Sequence, residues 1–153
     1  MLDRKDKEMM NILQIDSRIS LTELSKKINL SIDATHKRLK KLIKEEVIFP
    51  TILIDPRKIG YPITMDVKIK LKDIDKETYN KFIAYLVKHP NFIAVFSASG
   101  DYDITAPIIA KDYDQLNKIS LEVRDKFKHL IADWKTAINL QIYKYEKYDM
   151  SKL

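Results

Sequence analysis

The chain has 153 residues, enough for one ordinary domain or two small ones, and 45% are hydrophobic, which excludes a disordered polycation despite the charge of +6. It has no cysteine, so disulfides and thiolate metal sites are excluded. The charged start resembles no signal peptide and no apolar run approaches the roughly 20 residues of a bilayer span, so we expect a soluble cytoplasmic protein without a membrane partner.

Two short helices are predicted at the start of the chain. Asp3 can cap a first helix that runs to about Ile15. Ser20 and Glu23 have the spacing of a capping box, in which each side chain accepts a hydrogen bond from the other residue's backbone. A second helix is therefore predicted over about 21–28.

The stretch from Ser31 to Lys44 predicts a third helix with two different faces. At helical period its apolar residues fall on one face and most of its charged residues on the other, with five basic side chains and one acidic. A helix that packs on the core through its apolar face and exposes a basic face fits the major groove of DNA. Lysine-rich helix faces are also common in proteins that bind nothing, but two short helices joined by a tight turn form a helix-turn-helix.

The predicted DNA contacts divide by role. Residues on the early turns are best placed for base edges, namely Asp33, His36 and Lys37, with Lys40 next. Others are expected at phosphates, which position the helix without specifying a sequence, namely Ser31, Arg38, Lys41 and Lys44. A structural role remains open for Arg38, as a brace either to the wing or to an acid on the first helix. Three scattered histidines and no cysteine argue against a metal site.

The segment after the third helix predicts a wing and then a boundary. Val47–Ile54 is rich in β-branched and aromatic residues around Pro50, which is typical of a small hairpin. Asp55, Pro56 and Gly60 then have the pattern of a single helical turn. We therefore predict a winged helix-turn-helix domain over 1–54, a linker over 55–61 and a second domain over 62–153.

The second domain is predicted to be α+β with a ferredoxin-like βαββαβ order. Hydrophobic alternation predicts a strand over 63–71, and apolar stripes predict helices that start at Asp75 and Asp112. The remaining strands are predicted over 92–99, 102–109 and 134–142. The first helix carries an apolar stripe that includes Val87, and the second a stripe that includes Tyr113.

Both helices would cover one face of a four-stranded sheet and leave the other face open. The open face is predicted to carry Phe96, Ala98, Asn139, Gln141 and Tyr143. A sheet face of mixed polarity usually meets a partner, so we expect a homodimer through the sheets, with a monomer as the alternative. Pro107 lies in a central strand and predicts a bulge or an early strand end.

Taken together, the chain resembles the Lrp/AsnC family of bacterial and archaeal transcription regulators. The resemblance covers nearly the whole chain and is carried by short motifs in the family's order: Leu2-Asp3 with Asp6, Ile12-Leu13, Leu24-Ser25, Leu30-Ser31, Arg38-Leu39, Leu42, Val47-Ile48, Asp55-Pro56, Gly60 and Gly100-Asp101-Tyr102-Asp103. Two positions depart from the family pattern. Ile43 stands where the family has an acid, and Glu46 where it has a glycine, so the end of the third helix must turn without that glycine.

The resemblance implies a sequence-specific DNA-binding regulator whose second domain assembles dimers into tetramers or octamers and in many members senses an amino acid. Two interpretations of the loop Gly100, Asp101, Tyr102 and Asp103 stay open. Structurally, Gly100 supplies a tight turn and Asp103 binds backbone amides. By family analogy the loop is an effector site, where Asp101 or Asp103 would hold an ammonium group.

Two other classes of function compete with the regulator. Some proteins similar to this family decarboxylate a tetrapyrrole, which would require a large pocket with basic and histidine side chains. An architectural protein that binds DNA with little sequence preference is the third class. We expect no catalytic residues, no metal and no cofactor.

Overall fold

The computed structural model describes residues 2–153, which form two compact units. One unit comprises the chain up to Leu53 together with Tyr143–Leu153, and the other comprises Ile54–Ile142. The domain limits at 54 and 62 stay a prediction. Residues 143–153, however, lie with the first unit and not with the sheet domain to which the sequence pattern assigned them.

Three helices form the first unit: α1 (Arg4–Leu13), α2 (Leu21–Ile28) and α3 (Ile32–Lys44). Each begins where a cap was predicted, because a side-chain oxygen of the preceding Asp or Ser accepts a hydrogen bond from the N–H three residues later. Their apolar faces meet in a small core, formed by Met9, Met10, Leu24, Ile28 and Leu42.

The two capping motifs differ from the prediction. The Ser20 hydroxyl accepts from the Glu23 N–H at 3.1 Å, but the Glu23 carboxylate pairs with Lys27 at 3.4 Å, so only half of that capping box is formed. A complete box forms instead at α1. Asp3 accepts from the Asp6 N–H at 2.9 Å, and Asp6 accepts from the Asp3 N–H at 3.1 Å.

The end of α3 turns at Glu46, which has a left-handed backbone with φ of 55°. The Val47 N–H donates to the Leu42 carbonyl at 2.9 Å and the Glu46 N–H to the Ile43 carbonyl at 3.1 Å, the paired bonds of a Schellman motif. This motif favours glycine at the turning residue. Glu46 therefore adopts the strained conformation that the missing glycine made necessary.

We expect Glu46→Gly to raise the free energy of unfolding of the first unit by about 1 kcal/mol, because the left-handed conformation costs a residue with a Cβ atom roughly 1–2 kcal/mol, partly offset by the entropy of glycine. Amide hydrogen exchange along α3 measures the change. Glu45→Gly is the matched control, since Glu45 has φ of −84° and gains nothing from glycine. Equal effects at both positions would contradict the strain at Glu46.

The predicted wing is not formed. Residues 48–55 contain no strand, and Phe49 and Ile52 expose 72% and 78% of their surfaces. The β-branched residues there have high strand propensity, but a strand is stable only with a pairing partner, and Pro50 removes a backbone donor. In the described part of the chain no other strand pairs with this segment.

The returning segment, residues 143–153, completes the first unit by binding α1 and the residues just after it. The Gln14 side chain donates to the Tyr148 carbonyl at 3.0 Å and accepts from the Tyr148 N–H at 2.8 Å. The Asn11 side chain accepts from the Met150 N–H at 2.9 Å, and the Met150 side chain packs against the core. These bonds explain why the segment leaves the sheet domain.

The second unit is an antiparallel sheet covered by two helices. After a 3₁₀ turn at Pro56–Ile59, its elements are β1 (Ile63–Leu71), α4 (Lys76–Lys88), β2 (Phe96–Ser97), β3 (Ile104–Thr105), β4 (Ile108–Ala110), α5 (Tyr113–Lys126) and β5 (Ile131–Ile138). The central strand is β1, which pairs with β5 on one side and with β3 and β4 on the other, while β2 pairs with β3 at the edge. This is the predicted ferredoxin-like arrangement.

The break between β3 and β4 falls at Ala106 and Pro107, as the position of the proline predicted. The strands predicted over 92–99 and 102–109 are correspondingly shorter. The inward residues of β1 form the main core with α4 and α5. Two residues of the predicted helix stripes lie outside it, since Val87 exposes 64% of its surface and Tyr113 exposes 66%.

The open face of the sheet carries Phe96, as predicted, because Phe96 pairs with Thr105 and Thr105 pairs with Lys68. The rest of this face differs from the prediction. β5 ends at Ile138. The Asn139 N–H still donates to the Thr64 carbonyl at 2.8 Å, but Gln141 and Tyr143 lie beyond the sheet. Residues that pair across β1 and β5 share a face, and those of the open face are largely charged. They are Asp66 opposite Ala137, Lys68 opposite Lys135 and Lys70 opposite Asp133.

Candidate nucleic-acid interface

The turn between α2 and α3 is built from two residues with special backbone roles. Asn29 has φ of 54°, a left-handed conformation that Asn tolerates better than most residues. The Leu30 N–H donates to the Ser25 carbonyl at 3.0 Å, which closes α2. The Ser31 hydroxyl then accepts from the Ala34 N–H at 3.2 Å and opens α3. The tight turn fixes the direction in which α3 leaves α2.

The inner face of α3 is anchored in the core of the first unit. Thr35 and Leu42 are buried, and Leu39 is half-buried and packs against the same core. The Thr35 hydroxyl donates to the Ser31 carbonyl at 2.9 Å, so its burial leaves no unpaired polar group. The helix therefore has a fixed orientation before any partner binds.

The outer face of α3 is exposed and cationic. All predicted contacts except Arg38 are exposed: Ser31, Asp33, His36, Lys37, Lys40, Lys41 and Lys44. Lys41 lies 4.0 Å from Glu45, at the limit of an ion pair. Among residues 2–153, no carboxylate lies within ion-pair distance of Lys37, Lys40 or Lys44. Their charges are free to interact with an external anion.

Arg38 is the exception, and its predicted phosphate contact needs correction. Its guanidinium donates to Asp3 at 2.5 Å and to Asp6 at 2.9 Å, so it braces α3 to the start of α1. Hydrogen bonds to these two carboxylates raise the pKa of Arg38 above its usual value. The pKa of Asp3 is lowered, first by the hydrogen bond from the Asp6 N–H and then by the hydrogen bond from Arg38. The structural alternative for Arg38 is the one that the geometry supports.

The Gly100–Asp103 loop, in the second unit, ties β3 to β1. Gly100 turns with φ of 133°, a conformation that favours glycine. The Asp103 N–H donates to the Ile69 carbonyl at 3.0 Å. Its carboxylate accepts from the Leu71 N–H at 2.8 Å and from the Lys70 ammonium at 3.4 Å. The Asp103 carboxylate therefore binds one backbone amide, in line with the structural interpretation, and one ammonium group.

The other two side chains of the loop differ in their surroundings. Tyr102 donates to the Asp133 carboxylate on β5 at 2.9 Å, and this bond raises the pKa of the phenol. Asp101 is exposed, and within residues 2–153 it has no ion-pair partner. Of the two candidate carboxylates, Asp101 is thus the one that remains free for a ligand.

We expect Asp103→Ala to lower the free energy of unfolding of the second unit by about 1–2 kcal/mol, because the Leu71 N–H loses its acceptor. The pKa of Asp103 is lowered, first by the hydrogen bond from the Leu71 N–H and then by the hydrogen bond from Lys70. This contribution is present above the unfolded-state pKa, near 4, and is lost as the pH falls through the lowered folded value. Urea unfolding followed by Trp134 fluorescence at pH 7 and at acid pH measures both effects.

Asp101→Ala is the matched control for Asp103→Ala, because it removes an exposed carboxylate from the same loop. It should leave the free energy of unfolding unchanged within about 0.5 kcal/mol. A loss as large as that of Asp103→Ala would contradict the structural role assigned to Asp103.

Two surface grooves lie in the second unit, away from the loop at Gly100–Asp103. A groove of about 550 Å³ lies between the end of α4 and the start of α5, and one of about 210 Å³ lies near Asp75 and His129. No cluster of three or more potential metal-binding side chains occurs among residues 2–153. Over the same residues, no helix has the length and apolarity to cross a membrane.

Comparison with known proteins identifies the family. Residues 2–43 match the AsnC-type helix-turn-helix domain, and residues 64–148 match the Lrp/AsnC ligand binding domain. The HTH-type transcriptional regulator FL11 of Pyrococcus furiosus is 35% identical over 117 residues, 76% of each protein. The transcriptional regulator AzlB of Bacillus subtilis is 32% identical over 123 residues, 80% of this chain and 78% of AzlB.

The chain is an Lrp/AsnC-type transcriptional regulator. Solved structures agree with the fold of this regulator. An AsnC family transcriptional regulator from Agrobacterium tumefaciens superposes with a TM-score of 0.86 at 26% identity, and the match covers 96% of this chain and 95% of that regulator's chain. A Neisseria meningitidis transcriptional regulator, solved as a complex with L-Met, has a TM-score of 0.84 at 21% identity, and the match covers 95% of this chain and 94% of that regulator's chain.

Two features of the regulator were not predicted from its sequence. Asp6 is nearly buried, and its carboxylate accepts from the Asp3 N–H and from the Arg38 guanidinium. The Asp3-x-x-Asp6 spacing could have suggested the first of these bonds. Ile32, the first residue of α3, is half-exposed, and the charge pattern of α3 assigns it no role. An apolar residue just after a predicted cap was the available signal.

Proposed function

We propose that this Lrp/AsnC regulator binds specific DNA sequences by inserting the N-terminal half of α3 into the major groove. The observation that carries the proposal is the contrast between the two faces of α3. Thr35 and Leu42 fix its back, while the front presents Lys37, Lys40 and Lys44 without intramolecular counter-ions among the described residues. A rigid helix with free cations matches the shape and charge of the groove.

The proposed contacts follow from position along the helix. Base edges are assigned to the early turns, where Lys37 can donate to guanine O6 and N7 and Asp33 can accept from cytosine N4. His36 and Lys40 are the other base-facing side chains in the proposal. Phosphates are assigned to Lys41 and Lys44, and to Ser31 at the positive end of the helix dipole.

Selection of bound duplexes from random DNA tests the proposal. We expect one enriched motif with two half-sites, bound at least about 10³-fold more tightly than unrelated DNA at physiological salt. A ratio near unity would overturn sequence-specific binding and favour the architectural alternative. Kd values must be compared at one salt concentration, because phosphate contacts make affinity strongly salt-dependent.

We further propose that the regulator acts as a homodimer, which assembles into tetramers or octamers. Its open sheet face carries both acids and lysines, which a two-fold copy of the same face can pair, and residues 49–54 expose large apolar side chains. Two α3 helices would then meet half-sites one helical turn apart, about 34–36 Å. Light scattering with and without DNA measures the assembly, and a monomer throughout would contradict it.

An amino-acid effector completes the proposal. The neighbour from Neisseria meningitidis was solved with L-Met, and in this regulator Asp101 is an exposed carboxylate without an ion-pair partner among the described residues. Calorimetry with each common amino acid tests the idea, with Asp101→Asn as the variant expected to weaken any binding. Absence of heat with all of them would remove the effector. A new absorbance band with tetrapyrroles would instead favour the enzyme alternative.

A further inference from the structure

Ile32 occupies the first position of α3, beside the residues proposed for base contacts. It exposes 49% of its surface. Leu39, on the same helix, is half-buried and packs on the core of the first unit. One exposed apolar residue carries little meaning by itself. The position of Ile32 on the helix is what makes its exposure informative.

The geometry of an α-helix directs Ile32 toward the end that enters the groove. Every Cα–Cβ bond tilts toward the helix N-terminus, so a side chain at the first position reaches beyond the first turn. His36 lies one turn further along the same side, and Asp33 is adjacent. In a helix-turn-helix, the N-terminal residues of the second helix contact base edges. Ile32 therefore lies at the end of α3 that such contacts use.

We propose that Ile32 recognises a thymine by packing against its 5-methyl group in the major groove. The inference rests on the proposed function, since it requires α3 to enter that groove. Thymine is the base that presents a methyl group there, and apolar side chains recognise it by contact. Ile32 would then determine the base preference at one position of each half-site.

The charge around Ile32 favours DNA as the occupant of this surface. Lys37, Lys40 and Lys44 form one face with few acids, and such a face attracts a polyanion. On a polyanionic duplex, the apolar group within reach of a helix in the major groove is the thymine methyl. The polar neighbours Asp33 and His36 remain matched to the hydrogen-bonding edges of the adjacent bases.

Replacement of thymidine by deoxyuridine tests the inference, because it removes the 5-methyl group and leaves base pairing intact. On the selected site, each thymidine is replaced in turn and Kd is measured for the full-length protein and for Ile32→Ala. The wild-type protein should bind about fourfold more weakly at one position per half-site, the effect of one buried methyl group. Ile32→Ala should bind the duplex with thymidine and the duplex with deoxyuridine at that position equally well.

Ile43→Ala is the matched control, because Ile43 exposes 39% of its surface at the opposite end of α3. It should keep the wild-type penalty for deoxyuridine. A wild-type protein that is indifferent to every replacement, or Ile32→Ala with an unchanged penalty, overturns the thymine contact but leaves the proposed function intact. Random-DNA selection that enriches no motif overturns the proposed function and this inference with it.

Discussion

Arg38→Ala is expected to lower the free energy of unfolding of the first unit by about 2–3 kcal/mol, because hydrogen bonds between charged groups are worth more than neutral ones and a nearly buried carboxylate loses its partner. Arg38 joins α3 to the start of α1 through Asp6 at 2.9 Å and Asp3 at 2.5 Å. Asp6 is only 8% exposed, so water cannot fully replace the guanidinium. Hydrogen exchange of amides in α1 and α3 measures the loss.

Lys41→Ala is the matched control for Arg38→Ala, since Lys41 is exposed on the same helix and its nearest carboxylate is 4.0 Å away. It should change the free energy of unfolding by less than about 0.5 kcal/mol. A double-mutant cycle with Asp6→Ala isolates the pair, and additive effects would show that Arg38 and Asp6 do not interact.

The same brace predicts a dependence on pH. The backbone bond from Asp6 and the Arg38 guanidinium lower the pKa of Asp3 in the folded state. The contribution of Asp3 is therefore present above the unfolded-state pKa, near 4, and disappears as the pH falls through the lowered value. In Arg38→Ala this acid-range loss of stability should become smaller, because one cause of the lowered pKa has been removed.

Lys37→Ala is expected to reduce affinity for the selected DNA site by about 1–3 kcal/mol, roughly 5- to 150-fold, and to relax the preference at one base pair. The reason is its place one turn into α3, on the exposed face and without an intramolecular counter-ion among the described residues. The proposed bidentate contact to guanine exists only at the correct base, so the variant loses it only there. Affinity for scrambled DNA should therefore fall much less.

Lys44→Ala is the matched comparison, because it removes the same charge from the far end of the same helix. We expect a similar loss on selected and scrambled DNA, and a salt dependence of affinity that is shallower by about one phosphate contact. Titrations at several salt concentrations distinguish the two variants. Equal losses on both DNAs for both variants would show that α3 binds without contacting base edges.

Sequence patterns located the helices well because helix caps are local. A side-chain oxygen that accepts the N–H three residues later requires no distant partner, so Ser31, Asp75 and Asp112 each marked a true helix start. The alternation over 63–71 likewise predicted β1 in full, because one face of that strand is buried. Helix caps and the alternation of buried and exposed residues can both be identified from the sequence alone.

The failures concern interactions between distant parts of the chain. Residues 47–54 have the composition of a strand, but strand formation depends on a pairing partner that composition does not reveal. Arg38 is a basic residue of α3 like its lysine neighbours, and only the position of α1 shows that two carboxylates lie against it. A helical pattern thus gives the face of a cation but not whether it is already neutralised.

The return of residues 143–153 to α1 has a consequence for biosynthesis. The first unit can be completed only after the ribosome has made all of the second unit, on the order of ten seconds later at 5–20 residues per second. Until then the nascent α1 lacks the bonds from Tyr148 and Met150 to Gln14 and Asn11. A recombinant fragment that stops before residue 143 would contain every proposed DNA contact but lack the segment that completes the first unit.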